Sequence, residues 1–95
     1  MSETMTRPKS RTLLLNAADN IAVALENLEV GAETPQDVGI IRRVPRGHKF
    51  ATRAIESGEA VVKFGQIIGF AKEAIAPGDW VHEHNCGMGG ADGSL

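Results

Sequence analysis

Apolar residues along this chain come in short runs separated by glycine-bearing corners, with no sustained helical period. Leu28-Glu29-Val30-Gly31, Val44-Pro45-Arg46-Gly47, Ile55-Glu56-Ser57-Gly58 and Ile75-Ala76-Pro77-Gly78 all read apolar, two residues, glycine. Glycine at the fourth place permits a positive φ where the chain reverses, and a proline ahead of it, Pro45 or Pro77, pre-sets the corner. Around these corners the pattern predicts short strands at Arg11–Asn16, Ile21–Leu25, Val38–Ile41, Lys49–Arg53, Val61–Phe64, Gln66–Ala71 and Trp80–His84. Many short strands with glycine turns between them describe a small all-β domain, of Greek-key or barrel-like type, with long loops.

The segment Asp19–Leu28 is ambiguous, because Asp19 is a good N-cap and Ala22, Ala24 and Leu25 suit a two-turn helix. A buried strand over Ile21–Leu25 is the preferred reading. It sets Ile21, Val23 and Leu25 on one side and Ala22 and Ala24 on the other, as a sheet packed on both faces requires. Gly65 and Gly69 lie inside an apolar run and predict a bulge or close backbone packing. The spacing of a phosphate-binding loop is absent there.

A chain of 95 residues that is 42% hydrophobic closes one modest core. Three Phe, one Trp and no Tyr leave that core to Ile, Val, Leu and Ala and provide no stacking platform for single-stranded nucleic acid. A formal charge of −2, with the signs interspersed except at Arg42, Arg43 and Arg46, makes no electrostatic bid for DNA. The single cysteine, Cys86, excludes an internal disulfide. Nothing reads as a signal peptide or membrane span, so a reducing cytoplasm is expected. Residues 1–10 read as a mobile leader, 11–86 as the domain and 87–95 as a glycine-rich tail that stays loose until something binds it.

The residues richest in chemistry are Gly78-Asp79-Trp80-Val81-His82-Glu83-His84-Asn85-Cys86. If the chain is extended through Cys86, then His82, His84 and Cys86 project from one face, with the two imidazoles about 7 Å apart. They then suit a shared metal ion or an anion, although a mononuclear metal needs three or four ligands and this motif supplies two or three. Taken alone, His-x-His more often marks a solvated strand end, and Cys86 an ordinary reduced thiol. In Gly47-His48-Lys49, the glycine lets backbone approach a ligand while His48 and Lys49 are able to meet a carboxylate or hydroxyls; a decorated β-turn is the plain alternative. Asp19 and Asn20 are either an Asx turn or a carboxylate and amide offered to a polyol.

Together, Asp19-Asn-Ile-Ala-Val-Ala-Leu25, Gly47-His-Lys-Phe50, Lys63-Phe-Gly65, Ile68-Gly69 and Val81-His-Glu-His-Asn85 resemble the amino-terminal domain of the altronate and galactarate dehydratase family. The resemblance implies a β-clip architecture of the SAF, or antifreeze-like, group. It implies the removal of water across C2 and C3 of a sugar acid to give a 2-keto-3-deoxy acid, with a divalent metal, usually iron. It carries over His48, His82 and His84 as catalytic candidates, His82 and His84 as metal ligands, and Asp19, Asn20, Lys49 and Asn85 as substrate contacts.

In that family the domain is commonly fused to a much larger catalytic region. A chain of this length therefore leads to the expectation of a small subunit or accessory domain, inactive alone, that shares its metal and its sugar-acid site with a large catalytic subunit, the other possibility being a protein that has lost its enzyme. A related split enzyme, sulfolactate sulfo-lyase, has a similar small subunit and supplies a rival reading. A free-standing module that binds a metal or a small acid is a third.

Overall fold

A computed structural model describes residues 9–88. Seven strands run in chain order: β1 Thr12–Leu13, β2 Ile21–Ala24, β3 Lys49–Ala51, β4 Ala60–Lys63, β5 Gln66–Ala71, β6 Trp80–Val81 and β7 Cys86–Gly87. They form two antiparallel sheets, ordered β1-β2-β3-β6 and β4-β5-β7. Among the described residues there is no helix, so the all-β reading holds and Asp19–Leu28 is not helical.

The first sheet divides the core in two. Ile21 pairs with Ala51 and Ala22 with Phe50, and since side chains alternate across a strand, each pair faces one side. Ile21 and Ala51 join Ile55, Val61, Ala71, Ile75 and Val81 in one buried cluster, while Ala22 and Phe50 join Ala24, Leu28, Ile40 and Val44 in the other. The alanines of β2 and β3 matter because a sheet covered on both faces leaves little room beside Phe50.

The glycine corners build the scaffold. Each closes a four-residue turn, with Ala32 N–H donating to Glu29, His48 to Pro45, Glu59 to Glu56 and Asp79 to Ala76. Gly31, Gly47, Gly58 and Gly78 each stand third in their turn at φ between 84° and 94°, the type II pattern. The turns are docked in reciprocal pairs. Gly47 donates to Ala24 and Gly31 to Ile40, around the bridge Leu28–Val44; Gly78 donates to Ala51 and Gly58 to Ala71, around the bridge Ile55–Ile75.

One unit therefore occurs four times: a buried small or apolar residue (Ala24, Ile40, Ala51, Ala71), a buried aliphatic four residues on, and the turn glycine three beyond that. Each reciprocal pair encloses its own half of the core. The halves interlock where Ile41 N–H donates to Gly78 O; a Cβ on Gly78 would strike the carbonyl oxygen of Gly39.

Several strand expectations require correction. Arg11–Asn16 forms a strand only at Thr12–Leu13, Val38–Ile41 forms only the bridge Glu33–Gly39, and Leu25 lies beyond the end of β2 and is exposed. Phe64 and Gly65 make the tight turn between β4 and β5, both at positive φ. Ile68 is the extra residue of a bulge, because Val61 pairs with Gly69 and Val62 with Ile67. A Cβ on Gly69 would lie 2.9 Å from Cys86 Sγ, which is the close packing its position suggested. Ser10 donates to Glu33, and Gly87 belongs to β7. The rest of the expected leader and tail, 1–8 and 89–95, lies outside the described residues.

Candidate functional site

Strand β6 ends at Val81, so the expected extended strand through Cys86 is corrected to a turn. Asn85 N–H and Cys86 N–H both donate to His82 O, while the Asn85 side chain accepts from His82 N–H and donates to Trp80 O. Asn85 is 1% exposed, and this buried amide reverses the chain. His82, His84 and Cys86 therefore do not share one strand face.

The histidines gather by a different route. Lys49 pairs with Val81 and Phe50 with Trp80, so one step beyond the last pair His48 meets His82, on the Trp80 side of the sheet. Their ring centroids are 4.9 Å apart. Trp80 lies among all three histidines of the sequence: stacked on His82 at 5.1 Å and 9°, 5.7 Å from His48 and 5.2 Å from His84. Its indole N–H reaches His48 Nδ1 at 3.1 Å.

Loop Ile41–Arg43 closes the edge. Arg42 Nη1 lies 3.1 Å from His84 Nε2, and its Nε lies 3.2 Å from Asp79 Oδ1, which also accepts Trp80 N–H. Beside this group a cavity of about 210 Å³ is lined by Lys49, Ile68, His82, Glu83 and Cys86. Burial pushes the Cys86 thiol up from its ordinary value, and the nearby Lys49 and Lys72 oppose this only in part. At neutral pH Cys86 contributes a thiol to the cavity wall, not a thiolate.

The structure divides the predicted contacts. His48, His82 and His84 stand around Trp80, and Lys49, on the other face of β3, lines the cavity with His82. The Asp19 carboxylate accepts Phe64 N–H and Gly65 N–H at 2.7 and 2.8 Å. Asn20, 1% exposed, donates to Ala60 O and accepts from Val62 N–H. These two residues hold the β4–β5 hairpin on β2. Asn20 O also accepts Thr52 N–H, four residues along from His48, or about 13 Å at 3.3 Å per residue. Asn85 is likewise engaged within its own turn. Sequence reasoning did not single out Trp80, Arg42 and Asp79. The available signal was the repeat itself, since His48 and Asp79 both directly follow a turn glycine.

Among the described residues no group of three or more His, Cys, Asp or Glu side chains is arranged to hold a metal ion. Arg42, a cation, also occupies His84 Nε2. The donors among the described residues therefore do not make up a metal centre by themselves. No helix among the described residues is long and apolar enough to cross a membrane.

Two antiparallel sheets without a helix among the described residues, bearing a His/Trp cluster at one edge, define a small all-β domain. The chain belongs to the SAF domain family of altronate and galactarate dehydratases, whose pattern it matches over residues 10–89. It is 46% identical over 74 residues to altronate dehydratase of Escherichia coli K12 and 30% identical over 78 residues to that organism's galactarate dehydratase (L-threo-forming), matches that cover 75% and 80% of this chain. It spans only 15% of the length of each. A shorter match, 40% identical over 43 residues, joins 45% of this chain to 64% of the (2R)-sulfolactate sulfo-lyase subunit alpha of Paracoccus pantotrophus.

Proposed function

We propose that this chain is the small subunit or accessory domain of a sugar-acid dehydratase of the altronate/galactarate type, which lends the Trp80 face to a site completed by a large catalytic polypeptide. The observation that carries the reading is the incompleteness of that face. Three imidazoles gather at an indole that Arg42 borders, beside an open cavity that Lys49 and His82 line, yet the described residues neither enclose a six-carbon acid nor supply a full set of metal donors. A proton α to a carboxylate is barely acidic, and its removal requires a closed, water-poor site.

In such a site Lys49, beside the cavity, attracts the substrate carboxylate. Trp80 excludes water from one side, and the imidazoles move or hold protons. A divalent metal, iron in the first instance, would supply polarisation of carboxylate and hydroxyl there, held in part by an imidazole of this chain and otherwise by the larger polypeptide.

The test is reconstitution. The purified chain, the large catalytic polypeptide and Fe²⁺ are combined with altronate or galactarate, and 2-keto acid is measured. Activity is expected only from the pair, and full activity of the large polypeptide alone removes the proposal. The similarity to a sulfo-lyase subunit favours a second reading, release of sulfite from sulfolactate. A sulfite assay of the same pair decides between them. A free-standing binding module predicts instead that the isolated chain binds metal or sugar acid tightly by calorimetry.

A further inference from the structure

The hydrogen bonds at the edges of the Trp80 group give its three histidines unlike roles. A neutral imidazole has one N–H and one lone pair, whereas indole and guanidinium only donate. Trp80 Nε1–H, 3.1 Å from His48 Nδ1, therefore uses the His48 lone pair, and the ring hydrogen of His48 must sit on Nε2. Arg42 uses the lone pair of His84 at Nε2, so that ring carries its hydrogen on Nδ1. Arg42 is itself tied to Asp79, which receives Trp80 N–H, so one chain of contacts determines both rings.

His82 differs. Among the described residues neither of its ring nitrogens has a hydrogen-bond partner, while its plane is set by stacking on the indole at 9°. It lines the cavity, with the His48 ring 4.9 Å away.

We infer that Trp80 is a positioning residue that makes His48 an obligate hydrogen-bond donor through Nε2–H and leaves His82 as the imidazole with a lone pair to offer the site. On this assignment His48 meets an oxygen of an acid ligand, a carboxylate or a departing hydroxyl. His82 accepts a proton or ligates a metal, and His84 braces the Arg42 edge. A His82/His84 metal pair gives way to His82 alone. The inference deepens the proposed function and rests on it for the identity of the ligand; the proton placements stand on this chain by themselves.

Two-bond ¹H–¹⁵N correlation spectra of the full chain, labelled with ¹⁵N-histidine and recorded at a pH where the rings are neutral, read the hydrogen on each ring. His48 is expected as Nε2–H and His84 as Nδ1–H, the less common tautomer in free histidine. Trp80→Phe keeps an aromatic ring but removes the donor, so the His48 Nδ1 resonance should move toward that of an unbonded lone pair. Arg42→Ala, at an exposed position, should return His84 to the common Nε2–H form and leave His48 unchanged. Observation of His48 as Nδ1–H in the unaltered chain, or a His84 tautomer indifferent to Arg42, overturns the assignment even if Trp80→Phe does not fold. The spectra need no partner, so a failed reconstitution counts against the proposed function and not against the proton placements.

Discussion

The two halves of this domain share one scaffold and differ in what they display. Four positions directly follow a turn glycine: Ala32, His48, Glu59 and Asp79. Each is held by the same i to i+3 bond, and each turn is docked on a partner turn in the same reciprocal way. His48 and Asp79 come from different halves, yet the pairing of β3 with β6 brings them to one edge around Trp80. Ala32 carries no chemistry, and Glu59 faces Arg53 in an exposed ion pair of 2.7 Å. Repetition thus provides equivalent platforms, and the imidazole–indole cluster forms only beside the two that the inter-half pairing makes neighbours.

The sharpest test of equivalence is steric. Gly78 and Gly31 have similar φ, but a Cβ has open space at Gly31 and strikes the Gly39 carbonyl at Gly78. Gly31→Ala should cost about 1 to 2 kcal/mol, the strain of a left-handed alanine. Gly78→Ala should cost more than about 4 kcal/mol or abolish folding, because backbone must also shift at the contact between halves. Urea denaturation of the two variants makes the comparison, and equal losses would show that the halves do not interlock there.

Next in size is the buried amide that shapes the histidine turn. Asn85→Ala strands His82 N–H and Trp80 O, for a loss of about 2 kcal/mol. It should also broaden the ring resonances of His82 and His84 while the backbone amide resonances at the Leu28–Val44 bridge stay sharp.

The β4–β5 corner works in the opposite direction. Phe64 is 65% exposed at φ 54°, a conformation that favours Asn or Gly over a bulky side chain. Phe64→Asn should stabilise the domain by about 0.5 to 1 kcal/mol. A rise in the thermal midpoint is the expected reading, whereas a fall would mean that the ring supports the core.

The smallest effect concerns Glu59. Its carboxyl is held below the ordinary value, first by the Arg53 hydrogen bond and then by Glu56 N–H. A folded value below the unfolded one means that the contribution is present above the unfolded value and is lost as pH falls through the folded one. For an exposed pair this amounts to about 0.5 kcal/mol. Stability measured from pH 7 downward should fall less steeply in Glu59→Gln, whereas Gln at Ala32 should leave the acid limb unaltered.

Local signals explain why much of the fold was legible. The glycine corners, the short apolar runs and the Ile21–Ala24 strand depend on φ preference and side-chain alternation, which act over a few residues. The same local reasoning carried the chain straight through His82 to Cys86 and failed there, because the turn is made by Asn85, a polar side chain that closes it only when buried against Trp80 O. It also offered Asp19 and Asn20 to a ligand. Their partners at Ala60, Val62, Phe64 and Gly65 are more than forty residues away for most bonds.

By itself the sequence determined an all-β domain with four like corners, and which residue types were available for chemistry. Only the tertiary structure decided that His48 faces His82, that Trp80 stands among the imidazoles and that Arg42 takes the His84 lone pair. Strand register between distant segments is set by how two halves of a core fit together, a property of the packed whole that no short window of residues contains.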